Sequence, residues 1–325
     1  MDWKFGQRKD RKTMKQKVLI TGGAGYIGSV FTPQLLAKGF QVTVLDNFMY
    51  KQDSLLDVCY HHDLDVIVGD VRDEESLKKE VEKHDIIVPL AAIVGAPACD
   101  RDKPLATALN QTQIENISKW VSTDQMVLYP VTNSGYGVGQ KGIYCDEETP
   151  LNPISHYGKT KVGGEKALLN MGNAVTFRLA TVFGTAPRMR MDLLVNDFVY
   201  RAFNDRFIVL FESHFKRNFI HIRDIASVFL HTIQNYDAMK GEAYNVGLSD
   251  ANLSKIELCE KIKIHLPDFH IFESEIAEDP DKRDYIVSNE KIEKTGWKPQ
   301  FSIDDGIKEL VRAYSFLRVN PYNNL

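Results

Sequence analysis

The sequence predicts an α/β fold: a doubly wound parallel sheet with a smaller C-terminal α/β lobe. Two patterns carry that prediction. From Lys17 to Gly184, short β-branched runs alternate with longer amphipathic stretches, and glycine-rich or polar clusters fall at the ends of the runs. The length agrees, since 325 residues at 43% hydrophobic and 26% charged suffice for one large or two moderate domains.

Taken in order, "KVLITGG" reads as a strand, Tyr26 to Lys38 as a helix, and "QVTVLDN" as a second strand. "DVIVGDV" is a third strand and "SLKKEVEKH" a helix. "DIIVPLAA" is a fourth strand, followed by a long helix from Leu105 to Val121. "QMVLYPVT" makes a fifth, His156 to Asn170 a helix, and "AVTFRLATVFG" a sixth strand. Beyond Gly184 the alternation loosens. "NFIHIRDIA" and "EAYNVG" are expected to return to the main sheet. The organisation read from this is an N-terminal extension over 1–16, a main α/β domain over 17–184 with returning segments near 218–247, and a smaller lobe over 185–325.

Composition removes several function classes. A formal net charge of -4 gives no broad attraction to nucleic acid or anionic membrane. The longest apolar run, Ile86 to Ala98, is interrupted by Pro89, Gly95 and Pro97 and is too short to span a bilayer. The basic N-terminus lacks the apolar core of a secretory signal. Four scattered cysteines without C-x-x-C spacing point away from zinc and disulfides and toward a reducing compartment, by default the cytoplasm.

The strongest motif is "TGGAGYIGS", with Gly22, Gly23, Gly25 and Gly28 between a strand and a helix. Glycine allows the tight turn, lets backbone approach a diphosphate, and lets helix pack on strand, while the helix N-terminus offers free N–H groups. Asp46 ends the second strand 18 residues after Gly28, placed to accept the adenosine ribose hydroxyls. An acid there repels a 2′-phosphate, and Lys51 is the only nearby cation, so NAD is expected over NADP. Asp70 and Val71 end the third strand, where they could border the adenine; a turn-forming Asp is the plainer reading. Finally, "YGKTK" sets Tyr157 and Lys161 four apart, on one helix face.

"TGGAGYIG", Asp46, "GDVRD", "PLAA", Asn110, Thr132, "YGKTK", "RLATVFG" and "RNFIHIRDIA" together resemble the extended short-chain dehydrogenase/reductase family, and within it the NAD-dependent nucleotide-sugar epimerases and dehydratases. The resemblance runs from about Lys17 to the C-terminus. It implies a Rossmann-type sheet and a homodimer built on the helices Leu105–Val121 and His156–Asn170. It implies cofactor contacts from Gly22, Gly25, Tyr26, Ile27, Gly28, Asp46, Asn47, Asp70, Val71, Leu90, Ala91, Ala92 and Asn110. It makes Tyr157 the acid/base, Lys161 its partner and the holder of the nicotinamide ribose, and Thr132 the hydroxyl that orients the substrate. A free tyrosine titrates near pH about 10, so a neutral-pH base needs nearby positive charge, expected from Lys161 and the oxidised nicotinamide.

The dehydratases of the family follow the catalytic Thr with Asp-Glu, which move the protons of water elimination. Here "PVTNSGYG" holds Asn133 and Ser134 instead, which lack that acid and base. Both are expected to contact substrate; simple turn chemistry is the other reading. The resemblance makes Arg217 and Arg283 clamps for the substrate diphosphate, a task suited to guanidinium. Thr181, Arg188 and Asn196 are further expected substrate contacts, with a solvated loop charge as the alternative for Arg188. "PLAAIVGAP", "TNSGYG" and "RLATVFGTAPRMR" resemble the GDP-D-glycero-D-manno-heptose 4-dehydrogenases of bacterial capsule pathways, so a GDP-linked sugar is favoured. A 4-epimerase would need the same residues. A catalytically silent cofactor-binding regulator would not need Thr132, Tyr157 and Lys161 intact.

Overall fold

In the computed structural model, residues 15–140, 142–274 and 283–317 are described. The N-terminal extension lies, up to residue 14, outside them.

Seven parallel strands form the centre: β1 (Lys17–Thr21), β2 (Gln41–Asp46), β3 (Leu64–Val68), β4 (Ile86–Pro89), β5 (Met126–Pro130), β7 (Ala174–Leu179) and β11 (Ala243–Val246). The short β6 (Tyr144–Cys145) lies outside that sheet and pairs in parallel with Ile286–Val287. The spatial order is β3-β2-β1-β4-β5-β7-β11. The order reverses at β1, which puts the crevice for a ligand beyond the carboxyl ends of β1 and β4. Strand residues alternate between two apolar layers: Val18 and Ile20 join one buried cluster, Leu19 joins the other. Burial on both faces explains why these strands are near-continuous Val/Ile/Leu runs.

Helices α1 (Gly28–Ala37) and α2 (Glu74–Val81) flank the first strands, and α3 (Ala96–Arg101) follows β4. The helix expected over Leu105–Val121 is divided. A short α4 (Lys103–Thr107) and α5 (Gln113–Trp120) are joined by a π-helical turn, Ala108–Thr112. Such a turn inserts extra backbone into the ladder and commonly marks a site under local constraint; here it carries Asn110. Helix α6 (His156–Leu169) begins at Ser155, whose hydroxyl accepts from the Gly158 amide. That cap sets Tyr157 in the first turn.

Two expectations fail in the second half. "AVTFRLATVFG" is not one strand: it breaks at Ala180 into β7 and β8 (Thr181–Phe183). "NFIHIRDIA" does not return to the main sheet. Its strand β10 (Lys216–His221) pairs with β8 in parallel and with β12 (Asn252–Ser254) antiparallel. The reason is the shortness of β11, which covers β7 only through Leu179. Just beyond it, a Cβ at Gly247 would lie 1.6 Å from Asn218 Oδ1, so β10 occupies that space. "EAYNVG" does form the edge strand β11 of the central sheet. Further elements are α7 (Leu194–Asn204), β9 (Phe207–Phe211), α8 (Ile222–Gln234), α9 (Tyr236–Met239) and α10 (Lys255–His265), of which α7 and α10 border the site.

Candidate active site

A cavity of about 1010 Å³ opens at the carboxyl ends of the central strands. Gly22 leaves β1 with φ +68°, its amide donating to Leu45 O at 2.8 Å. A Cβ there would sit 2.6 Å from the Ala91 nitrogen, so the turn lies directly on the exit of β4. Gly28 packs on Gly23, where a Cβ would be 2.4 Å from the carbonyl oxygen. A Cβ on Gly25 would meet only Gly22 O, at 3.1 Å. The turn is therefore closed toward strand and helix and open toward the cavity, the shape that a dinucleotide diphosphate needs. Gly22→Ala is expected to cost well over 1 kcal/mol of stability from the positive φ and the clash. It should also abolish cofactor retention, read by the absorbance ratio of the purified protein. Retention at the wild-type level would remove the turn from the cofactor site.

Gly22, Gly25, Tyr26, Ile27, Gly28, Asp46, Asn47, Val71, Leu90, Ala91 and Ala92 all line this cavity. The Asp46 carboxylate accepts from the Ala24 amide at 3.0 Å, the Phe48 amide at 2.8 Å and Gln52 Nε2 at 3.3 Å. Burial holds its carboxyl above the ordinary value against those bonds and the charge of Arg188.

Two expected cofactor contacts are not on the cavity wall. Asp70 turns away to Arg72, 2.8 Å from Nη2, which holds its carboxyl down to about 2. Asn110 is fully buried; its amide exchanges bonds with Ile93 N and O at 3.0 and 2.8 Å and reaches Thr160 Oγ1 at 3.4 Å. It braces the β4 exit against α6, from beneath the site.

Thr132, Tyr157 and Lys161 converge on the cavity. Thr132 Oγ1 donates to Ser134 Oγ at 2.9 Å and accepts from the Ser134 amide at 3.1 Å. Ser134 Oγ also accepts from Arg283 Nη1. Asn133 departs from expectation: it is 1% exposed, lies off the cavity wall, and neither side-chain atom finds a partner among the described residues. The 3₁₀ turn over Asn133–Tyr136 rotates it inward while Ser134 faces the cavity.

The electrostatics also differ from expectation. Burial pushes Tyr157 up to about 12, and the charges of Arg190 and Arg283 oppose it. Burial likewise pushes Lys161 down to about 7. Its Nζ lies 4.0 Å over the Tyr129 ring. The arginines of the far wall, more than Lys161, bring positive potential to Tyr157.

At the other end, Thr181, Arg217 and Arg283 line the cavity, with Arg217 5.6 Å from the Tyr285 ring centre. Asn196 does not. It is completely buried, accepting from the Gly184 amide at 3.0 Å and donating to Arg190 O at 2.8 Å, so it pins the loop before α7. Arg188 also lines the cavity, 4.8 Å over the Tyr50 ring. Phe207 is half exposed on β9, and neither it nor Phe211 reaches the cavity. Sequence reasoning missed Tyr50, Asp192, Lys255 and Tyr285, all on the wall. Only Tyr285 carried a readable signal: two residues after Arg283 in an extended segment, it shares that residue's side.

The NAD dependent epimerase/dehydratase family model matches residues 18–247. The low-salt glycan biosynthesis protein of Haloferax volcanii is 28% identical over 91% of this chain and 98% of its own length. A putative UDP-glucose 4-epimerase from Methanocaldococcus jannaschii is 24% identical over 90% of this chain and 97% of its own. Among solved structures, UDP-glucuronic acid 4-epimerase from Bacillus cereus, in complex with UDP-glucuronic acid and NAD, superposes with a TM-score of 0.81 at 20% identity, covering 92% and 99% of the two chains. The NAD-bound dTDP-glucose 4,6-dehydratase from Streptomyces venezuelae gives 0.80 at 25% identity, covering 92% and 97%. With a Rossmann-type sheet, a glycine turn shaped for a dinucleotide and a family match over most of its length, this chain belongs to the NAD-dependent epimerase/dehydratase family, with NAD as its cofactor.

Proposed function

We propose that this protein oxidises C4 of a nucleotide-activated sugar and releases the 4-keto product without eliminating water. The substrate we assign is GDP-D-glycero-D-manno-heptose, on the resemblance of its motifs to that subgroup. The turn after β5 carries the reading. Where a dehydratase places an acid and a base, this chain has Asn133, buried off the cavity wall, and Ser134, whose hydroxyl is engaged by Thr132 and Arg283. Neither residue supplies the proton donor and acceptor that elimination requires.

In this reading the Gly22–Gly28 turn and Asp46 hold the cofactor's adenosine diphosphate end, and Lys161 holds its nicotinamide ribose. Thr132 Oγ1 hydrogen-bonds the reacting sugar oxygen and orients it toward Tyr157. Tyr157, as phenolate, takes the C4 hydroxyl proton. NAD, when bound oxidised, would supply the hydride acceptor and a positive charge to this end of the site. Arg217 and Arg283 hold the substrate diphosphate. We further assign a homodimer through the helical stretches Leu105–Val121 and His156–Asn170, a cytoplasmic location, and the division into a cofactor half and a substrate lobe near residue 184. Among the described residues no helix is long and apolar enough to cross a membrane.

The test is mass spectrometry of GDP-heptose after incubation with the purified protein. The expected product has lost two hydrogens. Loss of water would overturn the reading. An unchanged mass with inverted C4 would make the protein a 4-epimerase, the second reading, which the relative named as a putative UDP-glucose 4-epimerase favours. A parallel binding screen of GDP-, UDP-, dTDP- and CDP-sugars tests the base.

A further inference from the structure

We propose that the ion pair of Arg190 and Asp192 is the sugar subsite of the cavity, holding hydroxyls of an uncharged sugar and rejecting a sugar that carries a carboxylate. The inference deepens the reading above and rests on it, since that reading sets the sugar's C4 at Thr132 and Tyr157.

Both side chains lie on the cavity wall, yet they are only 9% and 10% exposed. Arg190 Nε donates to Asp192 Oδ1 at 3.0 Å and Nη2 donates to Oδ2, so guanidinium and carboxylate meet in a side-on bidentate contact. The loop between β8 and α7 fixes where the pair stands. Asn196 Nδ2 donates to Arg190 O at 2.8 Å, and Met189 and Met191, on either side of Arg190, are buried in the main apolar cluster. The methionines thus face the core while Arg190 and Asp192 face the cavity. Of the positive charges acting on the Tyr157 phenol, that of Arg190 is the largest, which sets the pair toward the reacting end.

A side-on contact uses only part of each group. Guanidinium has about five N–H donors and a carboxylate about four acceptor sites, so donors and acceptors remain next to one another. Neighbouring sugar hydroxyls match that edge, because each can donate to the carboxylate and accept from the guanidinium. A sugar carboxylate can only accept. It would meet a guanidinium already neutralised and the like charge of Asp192 in a poorly screened site. Asp197 adds to the repulsion: it lines the same wall, close enough to Asp192 for the two charges to oppose each other. Its own partner, Arg201, is half exposed. Arg217 and Arg283 are committed in this reading to the substrate diphosphate.

The experiment is calorimetric titration of the NAD-loaded protein with ligand pairs matched at the base: GDP-mannose against GDP-mannuronic acid, and UDP-glucose against UDP-glucuronic acid, with GDP and UDP as references. Wild type is expected to bind the uncharged member of a pair at least roughly tenfold more tightly than the acidic one, a comparison that needs no variant to fold. Asp192→Asn keeps the shape and removes the charge. It should bring the acidic member to within about threefold of the uncharged one and leave GDP and UDP unchanged. Wild type that binds the acidic member as well or better overturns the proposal, as does an Asp192→Asn variant with the wild-type gap. The mass test of C4 oxidation can fail separately: a 4-epimerase would keep the preference for an uncharged sugar. Binding of no sugar nucleotide from either pair would overturn both readings.

Discussion

Tyr157→Phe is expected to lower turnover by roughly a hundred- to ten-thousandfold, the range that general acid–base catalysis contributes. The ring of Tyr157 packs against the buried cluster that includes Tyr129 and Cys99, and phenylalanine keeps that packing. What disappears is the hydroxyl that Tyr157 brings to the cavity wall it shares with Thr132. Cofactor content and thermal stability should therefore stay near wild type, while kcat falls far more than KM changes. A variant with full turnover would remove Tyr157 as the base.

The pH behaviour follows from the same surroundings. In the protein without cofactor, burial pushes Tyr157 up to about 12, so it is a neutral phenol at pH 7. A tyrosinate absorbance titration of stripped protein should show no phenolate from this residue near neutrality. Saturation with oxidised cofactor should bring an ionisation lower, and Tyr157→Phe should delete it. Lys161, pushed down to about 7, is only partly charged at neutral pH. Arg190→Met is accordingly expected to shift the activity profile to higher pH by removing one of the opposing positive charges.

The nucleotide-binding half was legible because its signals are local. Period, glycine spacing and a strand-ending acid each report on a few neighbouring residues, and they agree on β1, the turn and α1. Side-chain direction was less legible. Asn110, Asp70 and Asn196 sit beside the cavity in sequence, yet each bonds backbone or an arginine on the far side of its own element. A polar residue reads the same in sequence whether it faces a ligand or satisfies a buried amide. The break at Ala180 was hidden because a β-branched run carries no mark of where its partner strand changes. The seat of the Arg188 loop was hidden as well, since only tertiary structure shows that loop crossing α1.

Arg178→Met is expected to destabilise the protein by about 3–5 kcal/mol, the cost of breaking a buried ion pair from one side. Arg178 Nε lies 3.0 Å from Glu165 Oε1, and the Glu165 side chain is 1% exposed. Thr176 Oγ1 donates to the same oxygen at 3.0 Å, too little to carry a buried carboxylate alone. Arg178 Nη1 also donates to the Tyr136 hydroxyl at 3.2 Å and to Glu147 O at 3.0 Å, and the Tyr136 hydroxyl bonds Asn245 Oδ1 at 2.7 Å. One guanidinium thus joins α6, which carries Tyr157, to β7, to β11 and to the turn that carries Thr132. Equilibrium denaturation of Arg178→Met, Glu165→Gln and the double variant separates charge from packing. The double variant should recover much of the loss, because no uncompensated charge remains. A loss under about 1 kcal/mol for Arg178→Met would match an exposed pair and reject the network as a structural element. In any folded fraction of the single variant, turnover should fall along with stability, since the Thr132 turn and α6 lose the group that fixes their separation, and a hydroxyl and phenol misplaced by a fraction of an ångström orient the reacting oxygen less well.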